Sequence, residues 1–513
     1  MRFRPFILLF GIAHLPIVAG ADDPIVLREI QVTDEAGQEV PRSPDSSWRV
    51  MLQTYVGQPL DLKLRTKIAD DILAWFSHHD QPMMSIEELD AANDVVSFKM
   101  VSGRIHHVFI AGGGRHLREI SAPRWAVLEG EPLRISVLED ELSWIHRNPL
   151  HIGMLNLSEV ATDDATPWAD LRLDLDQSRT LRAGLAYRND GIAPLSDHRF
   201  TTSIEAADLL GIPAWWNIQA TTAEDVASYQ QYRVASRFFL PWQHEFSGSV
   251  SWVRVSAPTD AFAGLIDAID AESLAASLRY IVPVKLSSDW KLDLGMGADF
   301  RRTNNTLEFG SLTLAGDADS SALATDITFR RQTMLRDTGL NLSANYSPGG
   351  ITANDDDAHH SALRQGAEAQ HLILRGSAWH RRESTRGWTM LGQVSGQWAN
   401  QPTLPQDQLM LARTSTVRGY DEASVLSDRG LWGSVEIRSP AWSFHQSALQ
   451  IQPLTFVDAG VGWDEVINEQ SNVASLGFGL RVSFWKNLSA SCAYAWRLTE
   501  AGGRLHLAIT ATF

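Results

Sequence analysis

The stretch Trp290-Lys291-Leu292-Asp293-Leu294-Gly295-Met296-Gly297-Ala298-Asp299-Phe300 decides how this chain folds. In an extended strand, successive side chains point to opposite faces. Trp290, Leu292, Leu294, Met296, Ala298 and Phe300 then share one face, and Lys291, Asp293, Gly295, Gly297 and Asp299 the other. The segment is apolar on one side, polar on the other, and closed at both ends by an aromatic ring. Trp388 to Trp398 has the same design: Trp388, Met390 and Val394 alternate with Thr389, Gln393, Ser395 and Gln397. Leu181, Ala183, Leu185 and Tyr187 do so against Arg182 and Arg188. Alternation with aromatic ends suits a barrel whose outer face meets lipid and whose interior is wet. A soluble barrel or sandwich, apolar face inward, alternates in the same way.

The surroundings favour the membrane barrel. Such segments, separated by polar Gly- and Asp-rich stretches, continue from Arg179 to the end. From Thr180 to Phe513 there are 334 residues. Sixteen strands would take about 21 residues each with their loops, ample for membrane strands of ~9–11 residues. The chain closes on an alternating strand, with Leu505, Leu507, Ile509, Ala511 and Phe513 on one face. The only cysteine is Cys492, so no internal disulfide can brace the fold. The Trp count is 18, and amphipathic rings collect at membrane interfaces.

The N-terminus reads as a secretory signal over residues 1–21. Arg2 and Arg4 precede an apolar run, Phe6 to Val18, and Ala19-Gly20-Ala21 gives a small-x-small cleavage pattern. The run is short for an uncleaved anchor. No later stretch suits a membrane helix. A formal charge of −17 argues against nucleic acid as a partner.

Residues 24 to about 176 have a different texture: two copies of a small α/β unit. The first has a strand from Ile25 to Val32, a helix near Trp48 to Thr54, and a longer helix carrying Leu64, Ile68, Ile72, Leu73 and Phe76. Short strands near Met83 to Ile86 and Val95 to Val101 finish it. The second repeats the order: strand Ile105 to Ala111, helix near Leu117 to Leu128, a longer helix Ile135 to Ile145, then strands Ile152 to Val160 and Ala169 to Leu175. Gly57-x-Pro59-Leu60 and Gly130-x-Pro132-Leu133 fall at the same place in each copy. Strand–helix–helix–strand–strand resembles the POTRA domain, a periplasmic module that binds unfolded chains at its sheet edge.

Three further segments carry a specific resemblance. Thr416-Val417-Arg418-Gly419-Tyr420 is followed by Leu426-Ser427-Asp428-Arg429-Gly430, then by Ser434-Val435-Glu436-Ile437-Arg438-Ser439-Pro440. Phe456-Val457-Asp458-Ala459-Gly460 matches an aromatic-x-Asp-x-Gly motif. Together they resemble the signatures of two-partner secretion transporters (TpsB, of the ShlB/FhaC/HecB haemolysin secretion/activation type) and their relatives, the outer-membrane insertases. The resemblance implies that Val417, Arg418, Gly419 and Tyr420 lie at the tip of a loop folded into the barrel, with Asp428 and Gly430 at its return. It implies that Arg418 meets Asp458 in the lumen, and that Phe456 and Gly460 flank the contact on the barrel wall. Guanidinium and carboxylate match in geometry. Leu507, Ile509 and Phe513 resemble the C-terminal recognition strand of outer-membrane barrels.

The implied architecture is β-rich: a signal at 1–21, POTRA domains at 22–103 and 104–178, and a transmembrane antiparallel barrel of about 16 strands at 179–513. The implied function is export of a partner protein from periplasm to cell surface, without a cofactor and without catalysis. The implied partners are the secreted protein (TpsA-like), bound in extended form by the POTRA domains, outer-membrane lipids, and the barrel assembly machinery. An insertase, or a passive porin with a periplasmic binding module, are the alternatives. The sequence departs from the family in leaving no room for a plug helix after Ala21, and in having Ser427 where glycine is common. Asp355-Asp356-Asp357 before His359-His360 could offer calcium oxygens, but matches no standard loop and reads as a solvated charge run. Gly112-Gly113-Gly114 lacks the rest of a nucleotide loop and reads as a connection.

Overall fold

The computed structural model describes residues 26–513, apart from 42–45, 93, 163–165, 177–179, 193–194, 258–267, 287–289, 310–311, 334, 445–447 and 486. The expected signal and Ile25 lie outside the described residues. The chain divides into two compact units, Met1–Arg179 and Thr180–Phe513.

The first unit holds two copies of one topology. In the first copy β1 (Glu29–Thr33), α1 (Ser46–Gln53), α2 (Leu62–His78), β2 (Met84–Ala92) and β3 (Val95–Ser102) give sheet order β1-β3-β2. In the second, β4 (Arg104–Gly112), α3 (Arg115–Ala126), α4 (Ile135–Ile145), β5 (Ile152–Val160) and β6 (Trp168–Asp176) give β4-β6-β5. In both, the first strand runs parallel to the last and the middle strand antiparallel to it. These are the two POTRA units, and each has its own core. Helical spacing buries Leu64, Ile68, Ile72 and Phe76 of α2 against Val96, Phe98 and Met100 of β3. Leu138, Leu142 and Ile145 of α4 pack with Leu171, Leu173 and Leu175 of β6. Both Gly-x-Pro-Leu turns do the same work. Gly57 (φ +87°) and Gly130 (φ +82°) adopt the left-handed region that glycine enters freely. Each turn then bridges the chain at the start of the unit, Pro59 to Val26 just before β1 and Pro132 to Arg104 of β4.

Two details differ from the sequence reading. Helix α4, read as the longer of its pair, has 11 residues against 12 for α3. Strand β2 runs on past Ile86 to Ala92 through a bulge, because pairing with β3 continues beyond the apolar run. The two units are also linked by a helix cap. The Asp80 carboxylate accepts the Ser136 hydroxyl at 2.7 Å as well as its N–H, at the start of α4, whose own N-cap residue Arg134 supplies no side-chain bond.

From Thr180 onward the chain is one closed barrel. Its strands are β7 (Leu181–Arg188), β8 (Arg199–Ala207), β9 (Ala214–Thr222), β10 (Tyr229–Phe239), β11 (Glu245–Ala257), β12 (Ala268–Lys285), β13 (Trp290–Phe309), β14 (Leu312–Gln332), β15 (Arg336–Ser347), β16 (His371–Glu383) and β17 (Thr389–Ala399). After the hairpin β18 (Leu409–Met410) and β19 (Leu426–Ser427) come β20 (Arg429–Arg438), the short β21 (Trp442–Phe444), β22 (Leu449–Asp464), β23 (Glu469–Phe484), β24 (Leu488–Arg497) and β25 (Gly503–Thr512). All barrel pairs are antiparallel. Counting β21 as an extension beside β22, the wall has 16 strands. It closes where β25 meets β7, pairing Ala508–Thr512 with Arg188–Gly184. Phe513 exchanges two backbone bonds with Ala183, at 2.8 and 3.1 Å, to finish the seam.

The wall is turned inside out relative to the POTRA units. Met296, Leu323, Leu278 and Leu185 are among the apolar side chains exposed on its outer face, Met296 at 63%. Exposed tryptophans mark both rims. Trp242, Trp388, Trp442 and Trp485 lie at the rim where the chain ends, and Trp398, Trp463 and Trp496 at the other. Trp388, just before β17, and Trp398, near its end, are ten positions apart. At ~3.3 Å per residue and a tilt of ~40°, they stand roughly 25 Å apart along the axis, the height of the apolar band of a membrane barrel.

Candidate functional site: a loop held inside the barrel

Alternation on β22 puts Phe456, Asp458 and Gly460 on the inner face, while Val457 points outward. On neighbouring β20, Glu436 pairs with Phe456 and Ser434 with Asp458. The wall thus presents two carboxylates, a hydroxyl and a ring in one patch. Asp458 is fully buried and Phe456 nearly so. A buried anion of this kind needs a cation.

The cation comes from the connection between β17 and β20, residues 400–428. It turns inward, and its tip is Val417-Arg418-Gly419-Tyr420. Arg418 Nε donates to Asp458 Oδ2 at 2.7 Å and Nη2 to Oδ1 at 2.9 Å, a two-pronged match. Its Nη1 donates to Glu436 Oε2 at 2.8 Å and its backbone N–H to Asp458 Oδ2 at 3.2 Å. The guanidinium lies 3.3 Å from the centre of the Phe456 ring, a cation–π stack. Ser434 Oγ donates to Asp458 Oδ1 at 2.6 Å, and Arg438 Nε to Glu436 Oε1 at 2.7 Å. Two guanidiniums therefore face two carboxylates. Such a cluster is costly to break, because removing one member strands the others out of water.

The rest of the tip is fastened as closely. Gly419 has φ +98°, and a side-chain carbon there would sit 3.0 Å from the Ala495 carbonyl oxygen. Its N–H donates to His506 Nε2 at 2.9 Å, and its carbonyl accepts Arg497 Nε at 2.7 Å. Because Nε2 accepts, His506 carries its ring proton on Nδ1, beside Thr414 Oγ1 at 3.0 Å. The Tyr420 hydroxyl donates to the Ala474 carbonyl at 2.9 Å and lies 2.6 Å from Thr499 Oγ1. Leu411, Ala412 and Val417 are wholly buried against Trp432 and Val473 of the wall. At Gly460 the wall comes so close that a side-chain carbon would meet Leu411 and Trp432 at 3.2 Å.

Asp428 closes the base of the loop. It is fully buried; one oxygen accepts the N–H and hydroxyl of Thr403, both at 2.8 Å, and the other accepts Arg364 Nη2 at 2.8 Å and the Glu465 N–H at 2.8 Å. Gly430, the second residue of β20, lies between Gln397 of β17 and Gly462 of β22. Ser427 is buried with its hydroxyl facing Gly462. Leu507, Ile509 and Phe513 lie on the outer side of β25, opposite His506. Gly57, Pro59, Gly130 and Pro132 belong to the POTRA turns and take no part. The acidic stretch read as a solvated charge run is different in the fold: Asp355 and His360 are completely buried, and Asp356 caps a short helix, α5 (Asp357–Leu363). Helix formation and packing on β14 draw the two side chains in.

The sequence reading left Glu436, Ser434 and His506 without roles. Alternation was signal enough to put the first two on Asp458's face once β20 and β22 were neighbours; nothing local pointed to His506.

The sequence matches the family model of the haemolysin secretion/activation proteins ShlB/FhaC/HecB over residues 169–482. The chain belongs to that family. It is thus a two-partner secretion transporter, with an outer-membrane barrel behind POTRA units. Among solved structures it is similar to CdiB from Escherichia coli, at 15% identity and TM-score 0.72 over 98% of this chain and 93% of that one. It is also similar to CdiB from Acinetobacter baumannii, at 12% identity and TM-score 0.60 over 97% and 91%. BamA from Haemophilus ducreyi lacking POTRA domains 1–3 aligns at 11% identity and TM-score 0.51, over 95% and 100%. At these identities the likeness is one of fold. No curated protein matches the sequence.

Proposed function

We propose that this family member carries an extended partner protein from the periplasm through the barrel to the cell surface, and that the Arg418–Asp458 clasp holds its pore loop in the closed state. The observation that carries the reading is the complete burial of Asp458 beneath Arg418. A permanent wall of a passive porin has no use for a cation delivered to its inner face by a loop. No feature favours an insertase over an exporter.

Residues 22–103 and 104–178 act in the periplasm after residues 1–21 are removed as a signal, and residues 179–513 insert in the outer membrane. Leu507, Ile509 and Phe513 serve the barrel assembly machinery, and the exposed outer wall meets lipid. In each POTRA sheet the first and middle strands are edges, where an extended segment can add as a further strand. Edge strand β5 exposes Ile152, Met154 and Leu157, unusual for a strand with open backbone groups. Direction comes from folding of the partner outside, with no nucleotide involved.

Arg418→Ala tests the clasp. Secretion of the partner, normalised to barrel present in the membrane, should fall at least tenfold, and the purified barrel should show openings that the unaltered protein lacks. Unchanged secretion and conductance would leave the clasp without a transport role.

A further inference from the structure

Eleven residues before Arg418, the same loop makes a second charged attachment of reversed polarity. Here the loop supplies the anion and the wall the cations. Asp407 ends a short 3-10 turn, Pro405–Asp407, and is buried. Its carboxylate is gripped by Arg301 of β13. Arg375 of β16 stands 3.5 Å from the same oxygen and donates to the Asp407 carbonyl at 3.3 Å. Gln397 of β17 ties this set to the return limb. Its amide donates to the carbonyl of Asp407 at 2.8 Å and to that of Asp428 at 3.1 Å, while its oxygen accepts Arg375 Nε at 2.7 Å. Both limbs of the loop are therefore bound at their base to β13, β16 and β17. The tip is bound to β20, β22, β23, β24 and β25. No side chain is shared between the two sets.

We propose that Asp407 is a second anchor of the pore loop, a positioning residue that fixes the base to Arg301 and Arg375 whether or not Arg418 is engaged. Opening the clasp then swings the tip away from β22 while the base stays on the adjoining arc of wall, β13 to β17. The loop remains in the lumen as a hinged flap and can return. Losing both attachments loosens the loop at tip and base together, because the hairpin β18–β19 pairs with no barrel strand and the remaining holds, Asp428 and the Tyr420 hydroxyl among them, do not replace either ion pair. The inference rests on the reading that this loop occludes the pore.

Single-channel recordings of the full-length protein in planar bilayers separate the two ideas. Arg418→Ala alone should flicker between open and closed levels, since the flap returns. Asp407→Asn alone should stay mostly closed. Asp407→Asn with Arg418→Ala should give a steady open level, with open time at least fivefold above Arg418→Ala. Asp407→Glu combined with Arg418→Ala should restore the flicker, an outcome that general weakening of the barrel would not produce. If Asp407→Asn fails to give heat-modifiable barrels, Arg301→Gln with Arg375→Gln takes its place in the same cycle. A double variant no different from Arg418→Ala overturns the second anchor. An unchanged Arg418→Ala recording overturns the occluding loop itself.

Discussion

The POTRA units and the barrel solve opposite problems with the same residue types. In the first unit, leucines, isoleucines and phenylalanines are inside, and the sheets need helices to cover them. In the barrel the apolar side chains are outside, and arginines, aspartates and glutamates are within. Water removes the choice in one half and lipid in the other. Burial out of water rewards the POTRA core, whereas a barrel side chain facing hydrocarbon gains nothing by turning inward. Inside the barrel a small apolar cluster around Leu411 and Val417 sits beside charge pairing, which is directional and exchangeable and so suited to a loop that must move.

This contrast can be tested from its strongest consequence downward. Phe98→Ala, in the sealed first core, should cost about 3–5 kcal/mol of that unit's stability, seen as an earlier melting step with the barrel transition unmoved. A joint shift of both transitions would erase the distinction. On the outer wall, Met296→Arg should cost about 2–4 kcal/mol of barrel stability in lipid, while Met296→Ala should be nearly silent in urea titrations of the inserted barrel. Equal effects would mean that this face is not in hydrocarbon. A smaller loss is expected at Asp61, which caps α2 by accepting the Leu64 N–H at 2.6 Å. Asp61→Ala should remove about 1 kcal/mol from the first unit alone, read by urea unfolding.

The least effect concerns pH. Burial, helped by the neighbouring Asp71 carboxylate that accepts its hydroxyl, pushes the Tyr55 phenol up to about 12 from its usual 10.0. The fold favours the protonated form, so this stabilisation is complete below pH 10 and disappears as pH rises through about 12. Tyr55→Phe should flatten the loss of first-unit stability across that window, followed by circular dichroism. An unaltered slope would exclude Tyr55 as the source.

Much of the fold was legible because its signals are local. Strand β5 runs from Ile152 to Val160 and α4 from Ile135 to Ile145, as the periodicity predicts. Trp290 to Phe300 forms the start of β13, but the strand continues to Phe309. Its polar continuation is held by β12 and β14, which have 18 and 21 residues, and no apolar alternation announces such an extension. Arg418 and Asp458 were legible only through their motifs. Asp407 was not, since a single aspartate after Pro405 reads as a turn until Arg301 and Arg375 are brought to it.

By itself the sequence determined the strand period, the helical repeat and the aromatic ends of the barrel segments, because each depends on neighbours a few residues away. Closure of β25 on β7, the inward fold of residues 400–428 and the sorting of charges into two separate clasps belong to the tertiary structure. Those pairings join positions from 18 to more than 300 residues apart, and only the stagger and curvature of the closed wall bring them within reach of one another.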